Sequence, residues 1–445
     1  MHASRLPGAQ TGALPVTLAP AAGALRTPSR TAVLDNGLRV VVHEDRAAPV
    51  VAVHVMYGVG SRDERPGRTG LAHLLEHLLF EGTAHCPKGE FDKLLERVGG
   101  SNNGSTWLDR TNYYEVVPTH AVELALWLER ERMAHWLPVL DLEMLDVQRS
   151  VVLNERRQTV ENRPYGRAYE RIFELCFPPP HPYASPTIGY AADLEATTLD
   201  DVAAFYRAYY APENAVLVLA GDVDSEGGWD LAEYYFGDIP RGPGRPPTPP
   251  ASPARSTPAD ERRETLEDAV SFPRVHRLYA VAPYGSADWL ALDVLAYLLA
   301  DGESSLLQRA LVRDGQLAQD VDTFLFPTVL AGIWGWVATS RSGISPEALE
   351  TEVDEVLAAV AEGDVSEDEV RGAVRRLRRD GLAELASVEA RADALAYAAT
   401  ALGDAAELDR VLAGYAEVTP DDVRRMAEQL QVDGGATVTV VPRAS

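Results

Sequence analysis

The chain is short of cysteine, of basic side chains and of long apolar runs, and each shortage excludes a class of protein. Two cysteines, Cys86 and Cys176, in 445 residues cannot build a disulfide framework, so reduced thiols and a cytoplasmic setting are the expectation. Neither belongs to a C-x-x-C pair, so cysteine-based zinc ligation is not expected. Lys and Arg number 41 against 67 Asp and Glu, a formal net charge of −26. That charge argues against nucleic acid or an anionic membrane as partner; it suits cationic peptides, and it serves solubility equally well. No uncharged apolar run reaches the roughly eighteen residues of a membrane span. Residues 1–30, rich in Ala, Pro and Gly, lack the apolar core of a signal peptide and read as a flexible extension.

What is present is an ordinary globular composition, 46% hydrophobic and 24% charged, long enough for two to three domains. The stretch around which the chain is organised is Leu71 to Gly82, LAHLLEHLLFEG. As a helix it places Leu71, Leu74, Leu75, Leu78 and Leu79 on one apolar stripe. His73, Glu76, His77 and Phe80 form the neighbouring stripe. One turn separates the two histidines, so both imidazoles can reach one point, as two zinc ligands on a single helix do. Glu76 lies beside them and could activate a water. H-x-x-E-H inverts the usual H-E-x-x-H order of zinc peptidases. The alternative reading is a helix surface that carries these residues for no shared purpose.

Along the chain, residues 32–59 read as a strand pair with a turn at Asp35-Asn36-Gly37 and an alternating strand from Val50 to Tyr57. After the His-bearing helix, Phe91 to Val98 reads as a short helix closed by Gly99-Gly100. Asn103, Gly104, Ser105 and Thr106 then open a strand with little side-chain bulk. It could pair with an extended peptide, or be a solvated edge or turn. Helices are expected over about 119–136 and 141–160. In the second, Glu155 follows Val151 by four residues and Val152 by three, which puts it on the face the helix should bury. A buried carboxylate needs a partner. An Arg–Glu pair would satisfy it, but two upstream histidines lack a third ligand, and three protein ligands with one open position is the catalytic zinc pattern. Further helices near 166–176, 198–210 and 226–236 flank a strand from Ala215 to Ala220. The Pro-rich segment 237–262 reads as an inter-domain linker.

The chain repeats about that linker. Thr198, Asp200, Asp201 and Val202 recur as Thr419, Asp421, Asp422 and Val423. The strand from Asn214 falls on the one from Gly435, and the His-bearing helix falls on WLALDVLAYLLADG. The candidate ligands do not recur: His73, Glu76 and His77 correspond to Asp293, Ala296 and Tyr297, and Glu155 to Arg375 or Arg376. The expected organisation is therefore a first domain over 31–236 with the metal and a homologous second domain over 263–445 without it.

Together, HLLEHLLFEGT, NNGSTWLDRTNYYEVVP, VVLNERRQTVENRPYG, HPYASPTIGYAADLE and FYRAYYAPENAVLVLAGDVD resemble the pitrilysin/insulinase family of inverted zinc peptidases. The nearest likeness is its two-domain subgroup of bacterial processing proteases and mitochondrial processing peptidase. The resemblance spans about residues 32–443. It implies an α+β fold of two homologous domains, each an antiparallel-rich sheet covered by helices, forming half of a clam-like chamber. It also implies one Zn2+ per chain on His73, His77 and Glu155, Glu76 as general base, and Asn103 to Thr106 as the edge strand that pairs with a peptide substrate. The family often has an acidic residue where this chain has Gln148. It commonly carries an Arg and a Tyr seven residues apart in the second half, where this chain has Val312 and Gln319; Arg313 is one residue out of register. The resemblance therefore implies the catalytic subunit of a heterodimer whose homologous partner supplies that pair, with a homodimer or monomer as the alternative. Precursor (leader) peptide processing is a narrower role within this reading, and a non-catalytic structural or interaction subunit is the competing one.

Overall fold

A computed structural model describes residues 27–244, 246 and 262–443. Most of the expected N-terminal extension and most of the Pro-rich linker lie outside the described residues. Residues 27–30, assigned to the extension from sequence, are held in place: the Thr27 amide and hydroxyl both donate to Asp409 at 2.8 Å, and the first strand starts at Arg30.

In the first half the order is β1 (Arg30–Val33), β2 (Arg39–Glu44), β3 (Val50–Tyr57), α1 (Leu71–Leu78), α2 (Glu90–Val98), β4 (Ser101–Thr106), β5 (Thr111–Pro118), α3 (Val122–Ala134), α4 (Leu142–Arg156), α5 (Gly166–Cys176), α6 (Ala191–Ala196), α7 (Leu199–Tyr209), β6 (Ala215–Gly221) and α8 (Ser225–Phe236). In the second half it is β7 (Arg263–Asp268), β8 (Arg274–Val281), α9 (Ala287–Ala300), β9 (Ala318–Phe326), β10 (Gly332–Ser340), α10 (Pro346–Ala361), α11 (Glu367–Glu384), α12 (Val388–Ala401), α13 (Glu407–Gly414), α14 (Pro420–Asp433) and β11 (Ala436–Pro442).

The first sheet runs β1-β2-β6-β3-β5-β4 and the second β7-β11-β8-β10-β9. After β1 the two orders are the same, and each sheet is antiparallel but for one parallel pair at the matching place, β2–β6 and β7–β11. The repeat extends to local chemistry. Thr198 and Thr419 each close a capping box at the start of α7 and α14, with hydroxyl and carboxylate satisfying backbone donors reciprocally. The fold is thus α+β, two antiparallel-rich sheets each covered by helices.

Two strand expectations change. The Asp35–Gly37 turn joins β1 to β2, and β3 is not paired with β2, because β6 lies between them. Nor does β3 alternate in burial; Val51 to Tyr57 are all buried. The cause is a second cover. One face of the sheet packs on the first-half helices through Val53, Val55, Leu217 and Leu219. The other, through Val41, Ala52, Met56, Val216 and Val218, meets Ala392, Leu395, Ala396 and Ala399 of α12. The exchange is mutual: α5 lays Ala168, Ile172 and Cys176 among Leu278, Ile333 and Val438 of the second sheet. The alanines of α12 let a helix approach a strand surface closely, and burial on both faces explains why β6 reads as a continuous apolar run. Among the described residues no helix is long and apolar enough to cross a membrane.

Candidate metal centre

The helix α1 is positioned from both ends. Gly70, its N-cap, has φ 82°, and a Cβ there would stand 2.8 Å from the Ile188 carbonyl oxygen, so glycine is required by conformation and by space. The Glu64 carboxylate accepts from the Gly70 and Ala72 amides at 2.9 and 2.8 Å, satisfying donors that a helix start leaves free; burial pushes that carboxyl well above the usual range. At the other end, Trp136 Nε1 donates to the Leu78 carbonyl at 3.0 Å. Leu71, Leu74, Leu75, Leu78 and Leu79 are buried as their spacing predicts.

That packing turns His73 and His77 outward together, ring centroids 4.8 Å apart and planes at 87°. Glu155 reaches them from α4. Its Oε2 lies 3.7 Å from His73 Nε2 and 3.4 Å from His77 Nε2, and the three donor atoms are all within 4.8 Å of one another. Ligands on bonds of about 2.0–2.1 Å stand about 3.4 Å apart in a tetrahedron, so the spacing accommodates one divalent cation with little movement. Two imidazoles and a carboxylate suit a borderline ion such as zinc. Glu155 sits at the border of the buried face of α4 and not within it: Val152 is fully buried, but Val151 is 41% exposed. Of the adjacent arginines, Arg156 binds Glu170 and the Gly189 carbonyl and Arg157 donates to Asn154, so neither serves as the competing partner of Glu155.

Burial and neighbouring charges shift these groups in different directions. Burial lowers His73 below the ordinary imidazole value. Burial also acts to lower His77, but its hydrogen bond to Glu155 and the charge of Glu76 outweigh it, and His77 rises. The same bond from His77 holds Glu155 below the usual carboxylate range. A metal ligand must be deprotonated, so binding of a divalent cation there would compete with protons. Gln148, buried where an acid is common in the resembled family, donates to Glu81 Oε1 at 2.7 Å and offers His77 a neutral hydrogen-bond partner.

Glu76 is 8% exposed and accepts a 2.6 Å hydrogen bond from the Thr106 hydroxyl. Thr106 ends β4, an edge strand of the first sheet, whose outer edge has no strand partner among the described residues. Gly104 lies under the Phe80 ring; a Cβ there would come within 3.0 Å of it, so the absence of a side chain lets the strand lie against the turn after α1. The Asn103 side chain accepts from the Gly104 amide at 2.9 Å. Ser105 donates to Asn112 at 2.7 Å; Asn112 in turn donates to Asp393 of α12 at 2.9 Å, which also binds His54 at 3.1 Å. The hairpin β4–β5 is held at its tip as well, where Asp109 accepts from Tyr183 at 2.7 Å and from the Val329 amide at 2.8 Å. Glu64, Trp136, Asn112 and Asp393 were not singled out by sequence, because their partners lie far along the chain or outside any cap pattern.

In the second half the corresponding positions hold different chemistry. Asp293, matching His73, accepts from Tyr415 at 2.6 Å, and burial pushes its carboxyl up to about 6. Tyr297 faces Asp380, and Arg376 binds Asp301 at 2.6 Å. Val312 packs on the second core, and Gln319 donates to the Ser340 carbonyl at 2.8 Å.

Comparison with known proteins agrees with this architecture. The family profile "Insulinase (Peptidase family M16)" matches residues 39–174, and "Peptidase M16 inactive domain" matches residues 196–377. The zinc protease PqqE of Helicobacter pylori is 33% identical over 341 residues, 76% of each chain. The mitochondrial-processing peptidase subunit beta of Saccharomyces cerevisiae is 23% identical, over 89% of this chain and 87% of that one. A crystal structure of a protease from Helicobacter pylori superposes with a TM-score of 0.86 at 29% identity, covering 94% of this chain and all of that one.

Proposed function

The chain belongs to the insulinase (M16) peptidase family, and on that footing we propose that it is a zinc-dependent endopeptidase with its metal on His73, His77 and Glu155. The observation that carries the proposal is the convergence of those three donor atoms, from two helices, within 4.8 Å beside a carboxylate already held by a strand hydroxyl. Zinc held there would supply Lewis-acid polarisation of the scissile carbonyl.

The protein's own groups do the rest. An extended peptide pairs with the free edge of β4 over Asn103 to Thr106, backbone to backbone, which fixes its register without demanding a sequence. Glu76 takes a proton from the attacking water as the new C–O bond forms at the scissile carbon. It gives that proton to the departing amine as the C–N bond breaks, so the carboxylate is regenerated. Thr106 keeps Glu76 aimed throughout.

In this proposal residues 31–236 form the catalytic domain, 237–262 the linker, and 263–445 a domain that frames the site as part of a chamber for small or unfolded peptides. Val312 and Gln319 offer neither the charge of Arg nor the phenol of Tyr for holding a substrate carbonyl. A homologous partner subunit is therefore proposed to supply them, and the name of the yeast relative, a subunit beta, is in keeping with such an assembly. The free thiols Cys86 and Cys176 suit a cytoplasmic setting. Peptidase assays of the purified chain alone, and mixed with a homologue carrying the Arg/Tyr pair, check the assembly. Low activity alone and strong activity together are expected; full activity alone would rule out the heterodimer.

A further inference from the structure

A second set of metal-type side chains stands at the base of α1, away from the site described above. His85 lies in the turn after α1, Glu131 in the last turn of α3, and His135 caps that helix. His85 Nδ1 is 3.0 and 3.1 Å from the two Glu131 oxygens, and His135 Nε2 is 3.9 Å from Oε1. The rings are 5.0 Å apart at 79°, close to the arrangement of His73 and His77. One donor atom from each residue falls within 4.8 Å of the other two.

Three features distinguish this group from a chance surface cluster. Glu131 is 2% exposed, and its ion-pair partners are the two histidines; a carboxylate so buried needs a cation or donors. Its Oε2 is oriented by the Thr83 hydroxyl at 2.7 Å, the kind of outer support that ligating carboxylates carry. The backbone is already tied: the Ala84 amide donates to the His135 carbonyl at 3.0 Å, so turn and helix end are held facing each other. The C-terminal end of α3 also favours a positive charge.

We propose that His85, Glu131 and His135 form a second divalent-metal site, selective for zinc-like ions over magnesium or calcium because two of its donors are imidazoles. The site is structural. It clips the turn leaving α1 to the end of α3, next to Trp136, which donates to the Leu78 carbonyl at the last residue of α1. His85 is the adjustable ligand, since its side chain is 61% exposed, and a small swing opens its hydrogen bond to admit the ion.

This inference goes beyond the proposed function and fails independently of it. The experiment is Zn2+ titration of the chelator-stripped full chain, with bound metal counted by elemental analysis. The wild type is expected to bind about two equivalents, and His85→Ala/His135→Ala about one, with peptidase activity retained. His73→Ala/His77→Ala should also bind about one, and in that variant the added zinc should raise the melting temperature. His85→Gln alone, a change at an exposed turn, should lose the second equivalent without loss of fold. Unchanged stoichiometry in the His85/His135 variants, or no zinc bound by His73→Ala/His77→Ala, would overturn the second site.

Discussion

Glu76→Gln is expected to retain zinc and to lose turnover, with kcat falling by about 10²- to 10⁴-fold. The separation follows from geometry. Glu76 is not among the three converging donors; it stands beside them, anchored at 2.6 Å by Thr106. The amide of Gln has the same shape and can still accept from Thr106, so packing and the metal donors are undisturbed. It cannot accept a proton from water at neutral pH. Elemental analysis alongside peptide-hydrolysis kinetics reads both quantities. If the variant keeps its rate, Glu76 is not the base. If metal and rate vanish together, Glu76 belongs to the ligand set.

The second large effect is on stability and acts across the two halves. Leu395 is fully buried on α12 against the first sheet, so Leu395→Ala leaves a cavity and costs about 2–5 kcal/mol. The control is Leu382→Ala on α11, where the side chain is 53% exposed and the cost stays within about 0.5 kcal/mol. Denaturant unfolding followed by fluorescence measures both. Leu395 belongs by sequence to the second half, away from His73, His77 and Glu155, yet its loss should loosen β3 and β6. Loss of bound zinc is therefore expected at lower denaturant in Leu395→Ala than in the wild type. A variant as stable as the control would show that the α12 contact contributes little.

The parts of the molecule legible in sequence are those whose physics is local. The leucine stripe of α1 and the pairing of His73 with His77 follow from a 3.6-residue period. The capping boxes of α7 and α14 follow from a Thr and an Asp three residues apart. The repeat was visible because both halves kept these local signals, and the strand order of the two sheets shows how far it extends. What escaped was non-local. Val50 to Tyr57 is buried on both faces because α12 arrives from more than three hundred positions away, as the His54–Asp393 contact shows, and alternation is a test only for a strand with one wet face. The insertion of β6 between β2 and β3 leaves no trace in either neighbour. The helix face that carries Glu155 includes Val151, which is 41% exposed; the carboxylate nevertheless stands within 4 Å of both imidazoles. Glu64 caps α1 from a loop, six residues before Gly70, outside any cap motif. The group of His85, Glu131 and His135 is split between a turn and a helix end, so no spacing in the sequence announces it.

The most direct test of the central claim is anomalous diffraction at the zinc edge from crystals of the zinc-loaded chain. The account predicts a peak within about 2.0–2.2 Å of His73 Nε2, His77 Nε2 and a Glu155 oxygen, with Glu76 beside it and unbound. A zinc peak at those histidines with the Glu155 carboxylate turned away, or no peak between α1 and α4, would contradict it.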